Sequence, residues 1–263
     1  MNIMKNLIFQ YHLEVCASPE LLDTYEQSGK ISSERFKKYA EHIGADYEFA
    51  TEPTYVTVGE YPRGEERYFE WFRLIYDDKY DEYDNILFVD HDIIPNTDKN
   101  IFDHIEGDIN GVYESEWEGW SPWDNYNSAD SAMKENILHI YSKMERMNYP
   151  IVNIFAPTPS QMMVVNTGVL ILTREGRKIL REELGDWKPY VDDSWTDKDN
   201  PLPTWISNDQ YWFSWECAKK DIEVNCMDRR WNGKSIRDDV FHDNYFIHFQ
   251  GIEERMRLVE MFK

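Results

Sequence analysis

The residues whose spacing suggests chemistry most strongly lie in Asn85-Ile86-Leu87-Phe88-Val89-Asp90-His91-Asp92. An apolar run enters an Asp-His-Asp triplet. Side chains alternate along an extended chain, so Asp90 and Asp92 are expected on one side. Their Cα atoms would stand roughly 6–7 Å apart at about 3.3 Å per residue. Two carboxylates so placed suit one shared divalent cation, and hard oxygen ligands favour Mg²⁺ or Mn²⁺. The same residue types also form turns and helix caps after strands. His248 ends another apolar run, Tyr245-Phe246-Ile247-His248-Phe249-Gln250-Gly251. It reads either as a hydrogen-bonded core residue or, joined to Asp90 and Asp92, as the imidazole of a three-ligand site. Imidazole would move the preference toward Mn²⁺.

Two further segments carry polar groups inside apolar surroundings. In Val164-Val165-Asn166-Thr167-Gly168-Val169-Leu170-Ile171-Leu172, Gly168 is either a bulge in a core strand or a place where a ligand or backbone comes close. Ser207-Asn208-Asp209-Gln210-Tyr211-Trp212-Phe213 reads as a helix start. There Asp209 either caps orphan N–H groups or stands with Gln210 beside a reacting centre.

The elements that must position these residues are legible from hydrophobic periodicity. Residues 7–15, 47–50 and 85–89 read as strands. Residues 32–43 read as an amphipathic helix capped by Ser32 and stopped by Gly44. Residues 68–80 read as a second helix. This strand–helix alternation predicts an α/β domain with a mostly parallel sheet, which places ligands at the carboxyl ends of its strands. Later strands are expected at 111–113, 164–172, 222–224 and 245–248, and a helix at about 131–144. The acidic stretch 192–199 is expected to be a solvated loop. No repeat or linker divides the chain, so residues 1–263 are expected to form a single domain.

Composition narrows the partners. The 263 residues carry 28 basic and 50 acidic side chains, a formal charge of −22 that disfavours nucleic acid and anionic membrane surfaces. A phosphorylated small molecule would then need a cation or a local basic group. With 10 Trp, 17 Tyr and 13 Phe, the chain has ample material for a core and is not disordered. The N-terminus lacks a signal-peptide pattern and no run is long enough to span a membrane. Cys16, Cys217 and Cys226 form no disulfide framework or zinc motif. A cytoplasmic protein is expected.

In order and character these segments resemble the GT-A glycosyltransferases, most nearly the retaining type that includes glycogenin and the bacterial lipooligosaccharide galactosyltransferases (glycosyltransferase family 8-like). The resemblance runs from Leu7 to Gly251. It rests on Asp90-His91-Asp92, Asn166-Thr167-Gly168-Val169, Asp209-Gln210, Trp231-Asn232 and His248-Phe249-Gln250-Gly251. It implies a single GT-A, Rossmann-like α/β domain with a mixed, mostly parallel central sheet flanked by helices. It also implies a nucleotide-diphosphate sugar donor, a carbohydrate or other hydroxyl acceptor, and Mn²⁺ or Mg²⁺ held by Asp90, Asp92 and His248. Asp209 and Gln210 are the catalytic candidates. Gln10, Tyr11, Arg73, Asp90, Asn166, Gly168 and Gly251 are the candidates for donor binding. Where the family often places a Lys after H-x-x-G, this chain has Glu254, and Arg255 follows as the substitute.

The implied chemistry agrees with the charge balance. Glycosyl transfer leaves two negative charges on a nucleoside diphosphate, which an acidic protein repels unless a metal offsets them. A retaining reaction would proceed either by attack on the face the leaving group vacates or through a covalent intermediate on Asp209. Trp117, Trp120, Trp123 and Tyr126 fall in a possible acceptor-side insertion at about 114–162. They read either as faces for an acceptor sugar or as tryptophans packed on the core. Two rivals stand beside this reading. One is a non-catalytic carbohydrate-binding module or inactive relative. The other is a haloacid-dehalogenase-type phosphatase, whose pattern wants a small residue or Thr where Ile94 stands.

Overall fold

The computed structural model describes residues 4–13, 19–62, 64–113, 164–194, 208–235 and 241–263. Contacts divide the chain into two compact units. The first comprises Met1–Val112, Asn166–Glu183 and Val224–Lys263, and the second Tyr113–Val165 and Leu184–Glu223.

The first unit is built on strands β1 (Asn6–Tyr11), β2 (Asp46–Ala50), β3 (Asn85–Val89), β5 (Ile109–Tyr113), β6 (Val165–Thr173) and β7 (Asn225–Cys226). They form one sheet in the order β2-β1-β3-β6-β5-β7. β1 runs parallel to both β2 and β3, whereas β6 runs antiparallel to β3. The expected mixed, mostly parallel α/β sheet is thus observed. β3 matches its expected span residue for residue because Asn85–Val89 is buried on both faces, the condition that produces an uninterrupted apolar run. β7 lies at 225–226 rather than 222–224.

Helix α1 is longer than its periodicity suggests. It runs Pro19–Ile43, with proline suited to a first helical position and Gly44 at φ +72° after its end. Ser32 is therefore an interior residue, not the cap. It is buried, donates from Oγ to Ile93 O at 2.5 Å and accepts from Gln10 Nε2 at 2.9 Å. The helix packs Phe36, Tyr39 and Ala40 into the core with Ile8, Leu87, Val169 and Phe246.

The expected helix at 68–80 is instead a 3₁₀ turn at Glu65–Phe72, a short α2 (Arg73–Tyr76) and a second 3₁₀ turn at Asp78–Glu82. Asp77 breaks the run: its backbone is extended and its carboxylate accepts from Lys79 N at 3.0 Å. Helix α3 (Arg174–Glu183) follows β6 directly. Its buried Arg177 donates to Leu172 O, Tyr80 O and Tyr83 O at 3.0, 3.1 and 2.7 Å. Burial lowers that guanidinium to about 10.

A second, smaller sheet matters most for the site. β4 (Ile93–Pro95), β9 (Phe246–His248) and β8 (Gly233–Lys234) lie in the order β4-β9-β8. Helix α6 (Ile252–Met261) follows β9.

In the second unit, α4 (Lys188–Ser194) and α5 (Asp209–Lys219) bury Trp187, Tyr190, Val191, Trp212 and Phe213. Residues 192–194 thus belong to a helix rather than the expected loop, because the apolar Trp187, Tyr190 and Val191 draw that segment inward. The cap of α5 is Asn208, which accepts from Tyr211 N at 3.3 Å, and Asp209 opens the first turn. The expected helix at 131–144, the insertion at 114–162 and its Trp117, Trp120, Trp123 and Tyr126 lie outside the described residues, as does Cys16. No helix among the described residues is long and apolar enough to cross a membrane.

Candidate functional site

Three backbone devices bring the metal candidates together, and all lie within the first unit. Asp90 leaves the end of β3 with its N–H donating to Gly168 O at 2.9 Å. The chain then turns rather than continuing extended, with Ile93 N–H reaching Asp90 O at 3.3 Å. The antiparallel β4–β9 ladder pairs Ile93 with His248, and Phe249 N–H donates to Asp92 O at 2.9 Å. Asp92 and His248 are therefore neighbours because two short strands pair, although they are remote in sequence.

The three side chains converge. One ligand atom from each of Asp90, Asp92 and His248 lies within 4.8 Å of the others. Asp92 and His248 are 2% and 3% exposed, and Asp90 is partly buried. Asp92 Oδ1 is buried and accepts no hydrogen bond among the described residues. The Nε2 of His248 stands 3.3 Å from it. Gly168 forms the adjoining wall. A Cβ there would lie 2.9 Å from Asp90 Oδ2, 2.9 Å from Asn166 Oδ1 and 3.0 Å from His248 Cε1. Two carboxylates, an imidazole, an unsatisfied buried oxygen and a wall without a side chain fit a divalent cation.

Electrostatics point the same way. Burial, and then the neighbouring Asp92, push the Asp90 carboxyl up from 3.8 to about 6. Burial also opposes ionisation of Asp92, but Arg255 and His248 outweigh it and hold this carboxyl well below the ordinary range. Arg255 reaches Asp92 Oδ2 through Nε at 3.0 Å and Nη2 at 2.6 Å. Its Nη1 donates to His91 Nε2 at 3.1 Å. Burial, reinforced by Arg255, pushes His91 well below its ordinary value, so its ring is neutral and accepts. One guanidinium thus faces two carboxylates. Both can be ionised together only at a cost that a divalent ion would remove.

This sets a pH dependence. The folded Asp90 carboxyl titrates near 6, above its ordinary 3.8. Between these values the metal-free folded chain holds a proton that the unfolded chain has released. Its stability is therefore expected to fall as pH rises through this window. A cation binds the ionised carboxylate, so the rise in melting temperature caused by Mn²⁺ should grow from about pH 5 to about pH 7. A pH-independent Mn²⁺ shift would remove Asp90 from the ligand set.

The other candidates occupy varied positions. Gln10 is buried; its Nε2 donates to Asp90 O at 3.0 Å and its Oε1 accepts from Tyr47 OH at 2.8 Å. It braces the turn that carries the carboxylates. Tyr11 stacks on Phe88 with ring centroids 5.7 Å apart and donates to Arg67 O at 2.8 Å. Arg73 is buried against Glu70 Oε1 at 3.1 Å and Glu52 O at 3.2 Å. Glu70 in turn accepts from the N–H groups of Thr54, Tyr55 and Val56. Asn166 Oδ1 accepts from Gly168 N at 3.0 Å. Gly251 has φ +91° at the start of α6, a conformation that favours glycine and turns the chain so that Arg255 can reach Asp92. Asp209 and Gln210 are buried in the second unit, where Gln210 O accepts from Ser214 Oγ at 2.7 Å. In sequence Asn232 is notable only as half of Trp231-Asn232. It now has a specific partner, because its Oδ1 meets His248 Nδ1 at 2.9 Å.

No protein-family model and no curated protein matches the sequence. Solved structures do share its fold. A glycosyltransferase involved in the glycosylation of the major capsid of PBCV-1 aligns with TM-score 0.50 and 14% identity, over 98% of this chain and 99% of that one. The bifunctional glycosyltransferase WbbM aligns with TM-score 0.50 and 10% identity, over 98% of this chain and 50% of that one. Mouse xyloside xylosyltransferase 1 aligns with TM-score 0.47 and 13% identity, over 94% of this chain and 98% of that one. The mixed α/β architecture of this chain is one that the first two of these solved glycosyltransferases also have.

Proposed function

We propose that this chain is a metal-dependent glycosyltransferase. It would move a sugar from a nucleotide-diphosphate sugar, a UDP- or GDP-sugar, to a carbohydrate or other hydroxyl acceptor, with retention. One observation carries the proposal: Asp90, Asp92 and His248 converge within 4.8 Å, at the end of a strand, on a fold shared with solved glycosyltransferases.

In this reading Asp90, Asp92 and His248 hold Mn²⁺ or Mg²⁺. When bound, the ion supplies positive charge to the departing diphosphate, as a Lewis acid. The protein's own residues do the positioning. Arg255 keeps Asp92 ionised and fixes its Oδ2, leaving Oδ1 for the ion. Gln10 holds the Asp90 carbonyl. Gly168 leaves space that any side chain would fill. Tyr11, Arg73, Asn166 and Gly251 are proposed around the donor on the strength of the sequence resemblance. Asp209 and Gln210 are proposed beside the anomeric centre as a carboxylate and a dipole. Asp209→Asn and Gln210→Ala should each lower kcat far more than they change donor affinity. The cytoplasmic setting rests on the sparse cysteines.

The test is a thermal-shift screen of UDP-, GDP-, CMP- and dTDP-sugars with and without Mn²⁺. Ligand at a hundred times its Kd adds about 2.7 kcal/mol to stability. One nucleotide class should raise the melting temperature only when Mn²⁺ is present, and that donor should turn over. A shift caused by free sugars alone, without turnover of any donor, would identify a binding module instead.

A further inference from the structure

Behind the metal candidates lies a chain of buried amides that ends on the His248 imidazole. His248 Nδ1 meets Asn232 Oδ1 at 2.9 Å. Asn232 Nδ2 donates to Asn166 Oδ1 at 2.7 Å. Asn166 Oδ1 also accepts the backbone N–H of Gly168 at 3.0 Å. His248, Asn232 and Asn166 are all buried.

The direction of this chain follows from its last member. A backbone N–H is a donor that cannot be turned around. The Asn166 atom facing it must therefore be the carbonyl oxygen, since an amide nitrogen only donates. The Asn232 group that meets the same oxygen must then be the NH₂. That leaves the Asn232 oxygen against the imidazole, and an oxygen that only accepts requires a hydrogen on Nδ1.

We propose that Asn232, oriented by Asn166 and the Gly168 N–H, is a positioning residue that fixes neutral His248 as the Nδ1–H tautomer. Nε2 then presents a lone pair toward Asp92 Oδ1, 3.3 Å away. Two acceptors face one another there, an arrangement that a cation between them resolves. In the opposite tautomer Nε2–H would donate to that oxygen. The internal hydrogen bond would then occupy two of the three ligand atoms. Asn232 thus decides whether the imidazole serves as a ligand or closes the site. The ligand consequence rests on the metal reading above, whereas the position of the ring hydrogen does not.

The two are therefore measured separately. Long-range ¹⁵N–¹H spectra of the metal-free protein at about pH 8, where an ordinary imidazole is neutral, report which ring nitrogen carries hydrogen. His248→Gln assigns the signals. The parent should show a protonated Nδ1 and a bare Nε2. Asn232→Leu, similar in size but without polar atoms, should shift the ring toward Nε2–H. It should also weaken Mn²⁺ binding in calorimetry about ten- to a hundredfold, the range for losing a partner behind a metal ligand. Asn232→Asp retains an acceptor oxygen and should preserve the Nδ1–H tautomer. A parent ring protonated at Nε2 would overturn the proposal even if neither variant folds. So would an Asn232→Leu protein with unchanged tautomer and unchanged Mn²⁺ affinity. An Nδ1–H parent that binds no Mn²⁺ would remove the metal reading and leave the tautomer assignment standing.

Discussion

Asp92→Ala is expected to remove metal-dependent sugar transfer and to destabilise the protein. Asp92 supplies the buried Oδ1 that accepts no hydrogen bond among the described residues. Loss of a ligand should cost more than about a hundredfold in metal-dependent activity, the upper end of the effect of losing an outer partner. The same change strips Arg255 of the carboxylate it grips at 2.6 Å. Arg255 is 14% exposed, so most of an unpaired charge would stay buried, at a cost of about 3 kcal/mol. Urea unfolding measures that term. Asp92→Ala combined with Arg255→Met should recover much of the stability and none of the activity. If Asp92→Ala turned over donor at the parental rate, the site would be elsewhere. If it unfolded like the parent, the Arg255 ion pair would carry no stabilisation.

Gly168→Ala should disable the same site without removing a ligand. The new Cβ would stand 2.9–3.0 Å from Asp90 Oδ2, Asn166 Oδ1 and His248 Cε1. Crowding of this kind costs about 1–3 kcal/mol, which, if carried by the metal-bound state, is roughly a fivefold to 150-fold loss of metal affinity. The strand itself should survive, because Val169 and its neighbours still pair with β3. Calorimetric titration with Mn²⁺ should therefore show weak binding in a protein whose far-ultraviolet circular dichroism is unchanged. Parental affinity in this variant would mean that the ion does not sit against β6.

Part of the fold and of the site is legible in the sequence. Asn85–Val89 announced itself because a strand buried on both faces has no polar alternation to blur it. The same holds for β6, and the candidates Asp90, Asp92, Gly168 and His248 were all named from such runs. What could not be read was how they meet. The sequence suggested that Asp90 and Asp92 share one side of an extended chain, whereas a turn brings them together. The link from Asp92 to His248 depends on β4 pairing with β9; β9 falls within the strand expected at 245–248, but the three-residue β4 is too short to give a signal of its own. Ser32 reads in sequence as a helix cap and Gln10 as a donor contact, and only burial reveals that they brace Ile93 O and Asp90 O. Arg255 reads in sequence as a substitute diphosphate contact, and its guanidinium also reaches Asp92 and His91. Its distance in sequence from both gives no local signal. Asn232 gives no periodic signal, because its role is set by hydrogen bonds to side chains distant in sequence, Asn166 and His248.

The convergence of Asp90, Asp92 and His248 on one ion is open to direct view. Crystals soaked in Mn²⁺ and recorded where manganese scatters anomalously should show a single strong peak bounded by both carboxylates and the Nε2 of His248. A well-diffracting crystal with no peak at those three groups, or with its peak at another set of side chains, would contradict the assignment.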